Sequence, residues 1–378
     1  MPRVQILPAR PEDSPAVETF NARLRAAGAD HRLSAARPFR DYLLHPDSPV
    51  QLERYFAWVD GELRGGVVVK RLPFWIAGQG MTEVAFYGHL VSEGVVNPEF
   101  GFLGLMLQKF VTTRHPLVYG LGTGSLDMPV ARLMRASGWA AQPVPFWFRV
   151  FRARPFLREL QYLRQRGACA RTVADAAALT GLGSLGLALF HALQALGGRH
   201  LGTGNLRAEA VESWGTWADA IWLRARETYR LIGDRSAATL RTLYPDGHPH
   251  LRRLRVLDAA DEPIGWAVWV VARQRQSRYF GNLNLGTLVD GLALPGGEVA
   301  VVRAALQAMR RAGADLAVTN LSAEAWNRAC RAAGMSRGPT NFFLFLAPAL
   351  QARLAHLPQA ASACHFTRGD GDGPIHLY

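Results

Sequence analysis

The segment MTEVAFYGHLVSEG places Glu83, Tyr87 and His89 at even spacing. In a regular strand such residues point to one face. A carboxylate, a phenol and an imidazole side by side would suit acid–base work, with one group taking a proton and its neighbours orienting it. Histidine is the natural base, because its ordinary pKa lies nearest neutrality. The second half offers Asn282, Asn284 and Asp290 in YFGNLNLGTLVDGLAL, again of one parity, and Asp290 is its best single acid. Each strand runs into a segment with proline and paired glycines, NPEFGFLGLMLQKF with Gly101 and Gly104, and PGGEVAVVRAAL with Gly296 and Gly297. Glycine at a helix start lets an anion approach free N–H groups. Glu298 in the second segment would repel a phosphate, so the chemistry is expected in the first half. The same residues also suit a solvated strand edge and ordinary turns.

The elements that must position these residues occur twice. RYFAWVDGELRGGVVVKRL and RRLRVLDAADEPIGWAVWVVARQ each read as strand, acidic turn and strand, with Gly65 and Gly265 at matching places. MPVARLMRASGW and EAWNRACRAAGM each read as a short amphipathic helix closed by a glycine, Gly138 or Gly334. A strand with a small polar end precedes each helix, and an aromatic strand follows, PVPFWFRVFR or PTNFFLFLAP. Three features recurring in order predict a tandem duplication. The expected units are residues 1–155 and 206–350, joined by a helical linker 156–205 and followed by a tail 351–378. Each is a mixed α/β (α+β) sheet flanked by helices. In unit one a helix is expected from Asp13 to Ala27, and another is opened by Pro98. In unit two GTWADAIWLRARETYRLIG reads as one amphipathic helix.

Within the linker, the stretch 173–196 is about as long as a membrane span, but its polar residues and glycines argue against one. Leu179, Leu182, Leu189, Leu193 and Leu196 share a helical face. That face predicts a helix packed between the units or in peripheral contact with a membrane.

Composition bounds the classes. Hydrophobic residues make up 49% of the 378 and charged residues 19%, which excludes a disordered or collagen-like chain. The net charge of +13 is almost wholly arginine and spreads along the sequence, so it does not single out nucleic acid. Cys169, Cys330 and Cys364 lack metal-ligand spacing, and free thiols in a reducing cytosol are expected. MPRVQILPARPEDSP has no secretory apolar core, so the expected location is cytoplasmic, with the linker offering contact at the inner membrane face. The tail HFTRGDGDGP is like the start of a calcium loop but lacks the later glutamate.

The element order, with helices ending in Gly-Trp or Gly-Met before an aromatic strand, resembles the GNAT acyltransferase superfamily. The resemblance covers about 300 residues, most of both halves. It is shared with the tandem GNAT proteins of bacterial polysaccharide loci and with Fem-type peptidyltransferases. It implies acyl-CoA, acetyl-CoA foremost, lying in a gap between two splayed strands, and transfer of its acyl group to an amine such as an amino sugar or glycan precursor. By the same resemblance Leu90 and Val91 belong to the strand that meets the thioester. Gly101, Phe102 and Gly104 lie at the pyrophosphate-facing helix start, and Asn320 matches an asparagine near the donor. Two other readings stay open. A Fem-type transferase would use aminoacyl-tRNA and bind RNA. A degenerate pair would bind acyl-CoA without turnover, since neither glycine segment carries the family's leading Arg or Gln.

Overall fold

The computed structural model describes residues 3–29, 31–33, 47–122, 124–161, 168–180, 183, 185–187, 189, 206–355 and 364–371. The first half runs β1 (Val4–Pro8), α1 (Ser14–Ala26), β2 (Gln51–Val59), β3 (Glu62–Ile76), β4 (Gly80–Ser92), α2 (Leu103–Arg114), β5 (Val118–Leu121), α3 (Pro129–Ala136), β6 (Ala140–Pro143) and β7 (Phe146–Val150). Helices α4 (Ala153–Glu159) and α5 (Ala168–Leu179) follow. The second half runs β8 (Arg207–Ala210), α6 (Thr216–Ala225), β9 (Leu231–Gly233), α7 (Ala237–Leu243), β10 (Arg252–Leu257), β11 (Pro263–Arg273) and β12 (Asn284–Ala293). It continues through α8 (Glu298–Arg311), β13 (Leu316–Asn320), α9 (Glu324–Ala332), β14 (Ser336–Gly338), β15 (Phe343–Leu346), α10 (Pro348–Ala355) and β16 (Cys364–His365).

Two mixed sheets of matching order result. The first is β1-β2-β3-β4-β5-β15-β6, and the second is β8-β10-β11-β12-β13-β7-β14. The repeat is visible in both hairpins. A Cβ on Gly65 would approach the Val91 carbonyl to 3.0 Å and the Leu107 side chain to 3.4 Å, and one on Gly265 would come within 2.5 Å of Val301. Each glycine therefore lets a strand pass closely beneath the central helix of its sheet. Gly138 and Gly334 end α3 and α9 at φ 78° and 77°, the left-handed conformation that side chains resist.

The closing strands are exchanged. β7 comes from the first half but lies between β13 and β14, while β15 comes from the second half and lies between β5 and β6. The aromatic strands thus close each other's sheets, and a division of the chain at residue 155 does not divide the sheets. Phe345 of β15 is buried with Tyr87, Leu103 and Trp139 under α2. Trp147 of β7 is buried in the core that holds Trp266 and Trp326.

Three expected elements differ. Pro98 opens a 3-10 turn, Pro98–Phe100, and α2 starts only at Leu103. The segment expected as one helix to Gly233 stops at Ala225, and Leu231–Gly233 pairs instead with Phe74–Ile76 of β3. The tail is not a loose end. Its residues Cys364–Phe366, Gly369 and Asp370 are buried. In the linker, Leu179, Leu185 and Leu189 are exposed, while Leu187 packs against the cluster of Val150, Leu283, Leu285, Leu316 and Val318 on the second sheet. Leu182, Leu193 and Leu196 lie outside the described residues. No described helix is long and apolar enough to cross a membrane.

Candidate functional site

In the first sheet β4 and β5 pair only at Ala85↔Val118 and Phe86↔Tyr119, and beyond these they part. The gap begins at a bulge. The register of β4 on β3 passes from Val68↔Gly88 to Gly66↔Val91, so His89 and Leu90 together stand opposite Val67. His89 takes φ 48°, a conformation rare outside glycine that costs about 1–3 kcal/mol and tends to occur at functional sites. The opposite lip is Leu121 and Gly122. Gly122 has φ 97°, and a Cβ there would touch the Phe342 ring at 3.1 Å.

Helix α2 points its start toward this end of the sheet. It has no side-chain cap and no acidic residue in its first turn. Its leading N–H groups lack intrahelical acceptors and carry the positive end of the helix dipole. A Cβ on Gly104 would make an ordinary contact with Leu133, at 3.5 Å, so a side chain fits there. Phe102, Leu105 and Met106 stand exposed beside it. The arrangement offers an anion-accepting helix start and a backbone opening at a bulge.

The structure separates the expected acid–base group. Glu83 and Tyr87 lie on a regular stretch of β4, but Glu83 is exposed at its outer end, 2.5 Å from Arg71. Tyr87 is buried against Trp139, its hydroxyl has no hydrogen-bond partner among the described residues, and burial pushes its pKa upward. The bulge interrupts the alternation at His89 and Leu90, so even spacing does not by itself set the three on one surface. Only His89, with Leu90 and Val91, lies at the gap. Gly101 precedes α2 and Phe102 is its N-cap, with Gly104 in the first turn.

The second sheet repeats the geometry with a different outcome. β12 and β13 pair from Leu285↔Leu316 to Thr287↔Val318 and then part. A register shift again lies beside the gap, leaving Val289 as the extra residue. Here the opening is filled. The Ser322 N–H donates to the Phe366 carbonyl at 3.0 Å, and the Ser322 hydroxyl donates to the Cys364 carbonyl at 2.6 Å. Thr367 bridges to Leu321. His365 packs on the rings of Tyr229 and Trp326, at 5.0 and 5.4 Å, with Nε2 3.0 Å from the Gly291 carbonyl.

Of the expected site residues, Asn320 holds this tail directly and Asp290 supports it through Arg235. The Asp290 carboxylate lies 2.9 Å from Arg235 Nε and accepts from the Tyr244 hydroxyl at 2.7 Å. Arg235 also reaches Asp370 at 2.8 Å, and all three charged side chains are fully buried. Burial pushes the Asp290 carboxyl up, against the pull of Arg235. Asn320 Oδ1 accepts from Arg368 at 2.8 Å, and its Nδ2 donates to the Pro145 carbonyl at 3.3 Å. Asn282 and Asn284 sit at the other end of the sheet, bonded to Glu159 and to the Asp315–Gly313 turn. In the first turn of α8, Glu298 accepts from the N–H of Gly296, just before the helix, at 2.9 Å. Sequence reasoning missed Arg235, Tyr244 and Asp370, because ion pairs between residues far apart in the chain leave no local pattern. A usable signal lay in the repeat: Trp326 stands where the first unit has Val130.

No protein-family model matches the chain, and no curated protein matches it in sequence. Solved structures do match in fold. A probable N-acyltransferase of unknown function from Enterococcus faecalis V583 aligns at TM-score 0.51 and 11% identity, over 94% of this chain and 74% of that one. A GCN5-related N-acetyltransferase from Anabaena variabilis aligns at TM-score 0.51 and 13% identity, over 91% and 72%. An N-myristoyltransferase from Saccharomyces cerevisiae with bound myristoyl-CoA aligns at TM-score 0.49 and 8% identity, over 91% and 78%. The chain has the tandem GNAT-like fold, two mixed sheets flanked by helices.

Proposed function

We propose that the chain is an N-acyltransferase that takes its acyl group from acyl-CoA, with the donor in the gap of the first sheet. The observation that carries this is the bulge at His89, opening β4 from β5 beside the uncapped start of α2. The fold shared with N-acetyltransferases supports it. The pyrophosphate would sit at Gly101, Phe102 and Gly104, where free N–H groups and the helix dipole attract an anion. The bulge leaves strand backbone at Leu90 and Val91 directed into the gap, where an N–H can hold the thioester oxygen as it gains negative charge.

An amine attacks the thioester carbon, a C–N bond forms, and the C–S bond breaks to release the CoA thiolate. The attacking nitrogen must lose a proton, and His89 is the imidazole placed to accept it. Tyr87 and Glu83 are set apart from this step by burial and by distance along the strand. The acceptor class carried forward is an amino sugar or related glycan precursor, resting on the sequence resemblance.

Calorimetry with acetyl-CoA, a long-chain acyl-CoA and uncharged tRNA tests the donor class, followed by transfer assays on an amine panel. Acyl-CoA binding with turnover is expected. Binding of tRNA alone would move the protein to the aminoacyl-tRNA-dependent class, and acyl-CoA binding without turnover would make it a sensor. A Gly104→Glu variant, which places a carboxylate in the first turn of α2, should weaken acetyl-CoA binding about tenfold or more, in line with a charge effect above 1 kcal/mol.

A further inference from the structure

We infer that the segment Cys364–Gly371 is a permanent occupant of the second sheet's gap, so that the chain holds one acyl donor, in the first sheet. The donor part of this inference rests on the acyltransferase reading above, whereas the occupancy part does not.

The segment is bound as an extended peptide ligand would be. Its backbone is held by Ser322 on the β13 side, through the Ser322–Phe366 and Ser322–Cys364 bonds. On the other side β16 runs parallel to β9, with Cys364↔Leu231 and His365↔Ile232 in register. Its side chains fill matched places. The His365 ring packs on those of Tyr229 and Trp326, and Phe366 packs on Phe74 and Tyr119 of the first sheet, at 5.8 and 4.9 Å. Asp370 receives Arg235, while Arg368 donates to Asn320. The last turn is tied to the first sheet, with Lys70 Nζ donating to the Gly371 carbonyl at 2.6 Å and the Tyr119 hydroxyl to the Asp370 carbonyl at 2.7 Å.

Three features then bar a donor from the second gap. The tail lies between the parted ends of β12 and β13. Trp326, fully buried, touches the place where a Cβ of Gly291 would stand, at 3.0 Å. Glu298 sets a carboxylate in the first turn of α8, where it would repel a phosphate. Among the described residues the first gap lacks the last two, and the tail reaches it only at Gly371, beside Leu121. Val130 occupies the repeat position of Trp326, and α2 starts uncapped. Expelling the tail would break the buried Arg235–Asp370 ion pair and leave Arg235 with Asp290 alone, and breaking a buried pair is strongly unfavourable.

The test uses the full chain and Cys364 as a reporter. Burial pushes its thiol up to about 12, so a seated tail keeps it unreactive. Thiol labelling, read peptide by peptide to separate Cys364 from Cys330 and Cys169, should run at least about a hundredfold slower than in urea. Saturating acetyl-CoA should leave that rate unchanged. Its binding should saturate at one per chain and protect amides of 88–106, not those of 288–300. Two acetyl-CoA per chain, protection at 288–300, or faster Cys364 labelling on adding acetyl-CoA would each overturn the inference. Rapid labelling of the free protein would overturn it whatever the donor does. No acetyl-CoA binding together with slow labelling would sink the acyltransferase reading and uphold the tail as occupant.

Discussion

His89 carries two separable properties, its imidazole and its left-handed backbone. Glycine adopts that backbone without cost, so His89→Gly should raise stability by about 1 kcal/mol while lowering kcat of acyl transfer at least about a hundredfold. Urea unfolding and steady-state kinetics read the two effects independently. His365 makes a different prediction. Burial and the nearby Arg235 hold its pKa down, at about 4 against an ordinary 6.5. The folded state therefore binds fewer protons than the unfolded state between these values. The associated stability is fully present above pH 6.5 and is lost as pH falls toward 4, by about 3 kcal/mol. A His365→Phe variant, which keeps the ring stacking, should show an acid slope shallower by that amount in urea midpoints measured across this window.

At the scale of elements, the exchanged strands carry most of the consequence. Phe345 is fully buried in the core under α2, although it comes from the second half of the chain. Phe345→Ala should cost about 3–5 kcal/mol, and it should weaken acyl-CoA binding by the first sheet. Thermal unfolding and calorimetry check the two parts. The linker predicts the opposite behaviour. Leu185 and Leu189 are exposed, so changing both to Glu should alter stability by less than about 1 kcal/mol. Flotation with anionic vesicles then asks whether that face contacts a membrane, and loss of flotation in the variant alone would establish the contact.

For the whole molecule, duplication does not mean two independent bodies. One continuous core joins Phe74, Phe86 and Tyr119 with Trp222, Trp266 and Phe366. The first sheet takes β9, β15 and β16 from the second half, and the second takes β7 from the first. Fragments 1–205 and 206–378 expressed apart should each lack a cooperative unfolding transition, because each sheet misses an inner strand and its partners stay unpaired. Co-expression should restore a complex with the stability curve of the whole chain to within a few degrees. Two separately folding fragments would show that the exchange is dispensable.

The sequence by itself determined the repeat: both hairpins, the helices ended by Gly138 and Gly334, and the glycines that pass beneath the central helices. These are local, since turn chemistry and side-chain period act within a few residues of chain. It also placed His89, Gly101 and Gly104 near one another, because a strand end and the following helix start are neighbours along the backbone. Tertiary structure alone decided that β7 and β15 change sheets, since an aromatic strand pairs equally well with either of two similar edges. It alone decided the fate of Asp290 and Asn320. Their partners Arg235, Arg368 and Asp370 come from distant segments, and the balance between desolvation and pairing is settled only where those segments meet. The even spacing of Glu83, Tyr87 and His89 failed for a related reason. Period two holds only while the register does, and a one-residue bulge is fixed by packing between strands rather than by residue type.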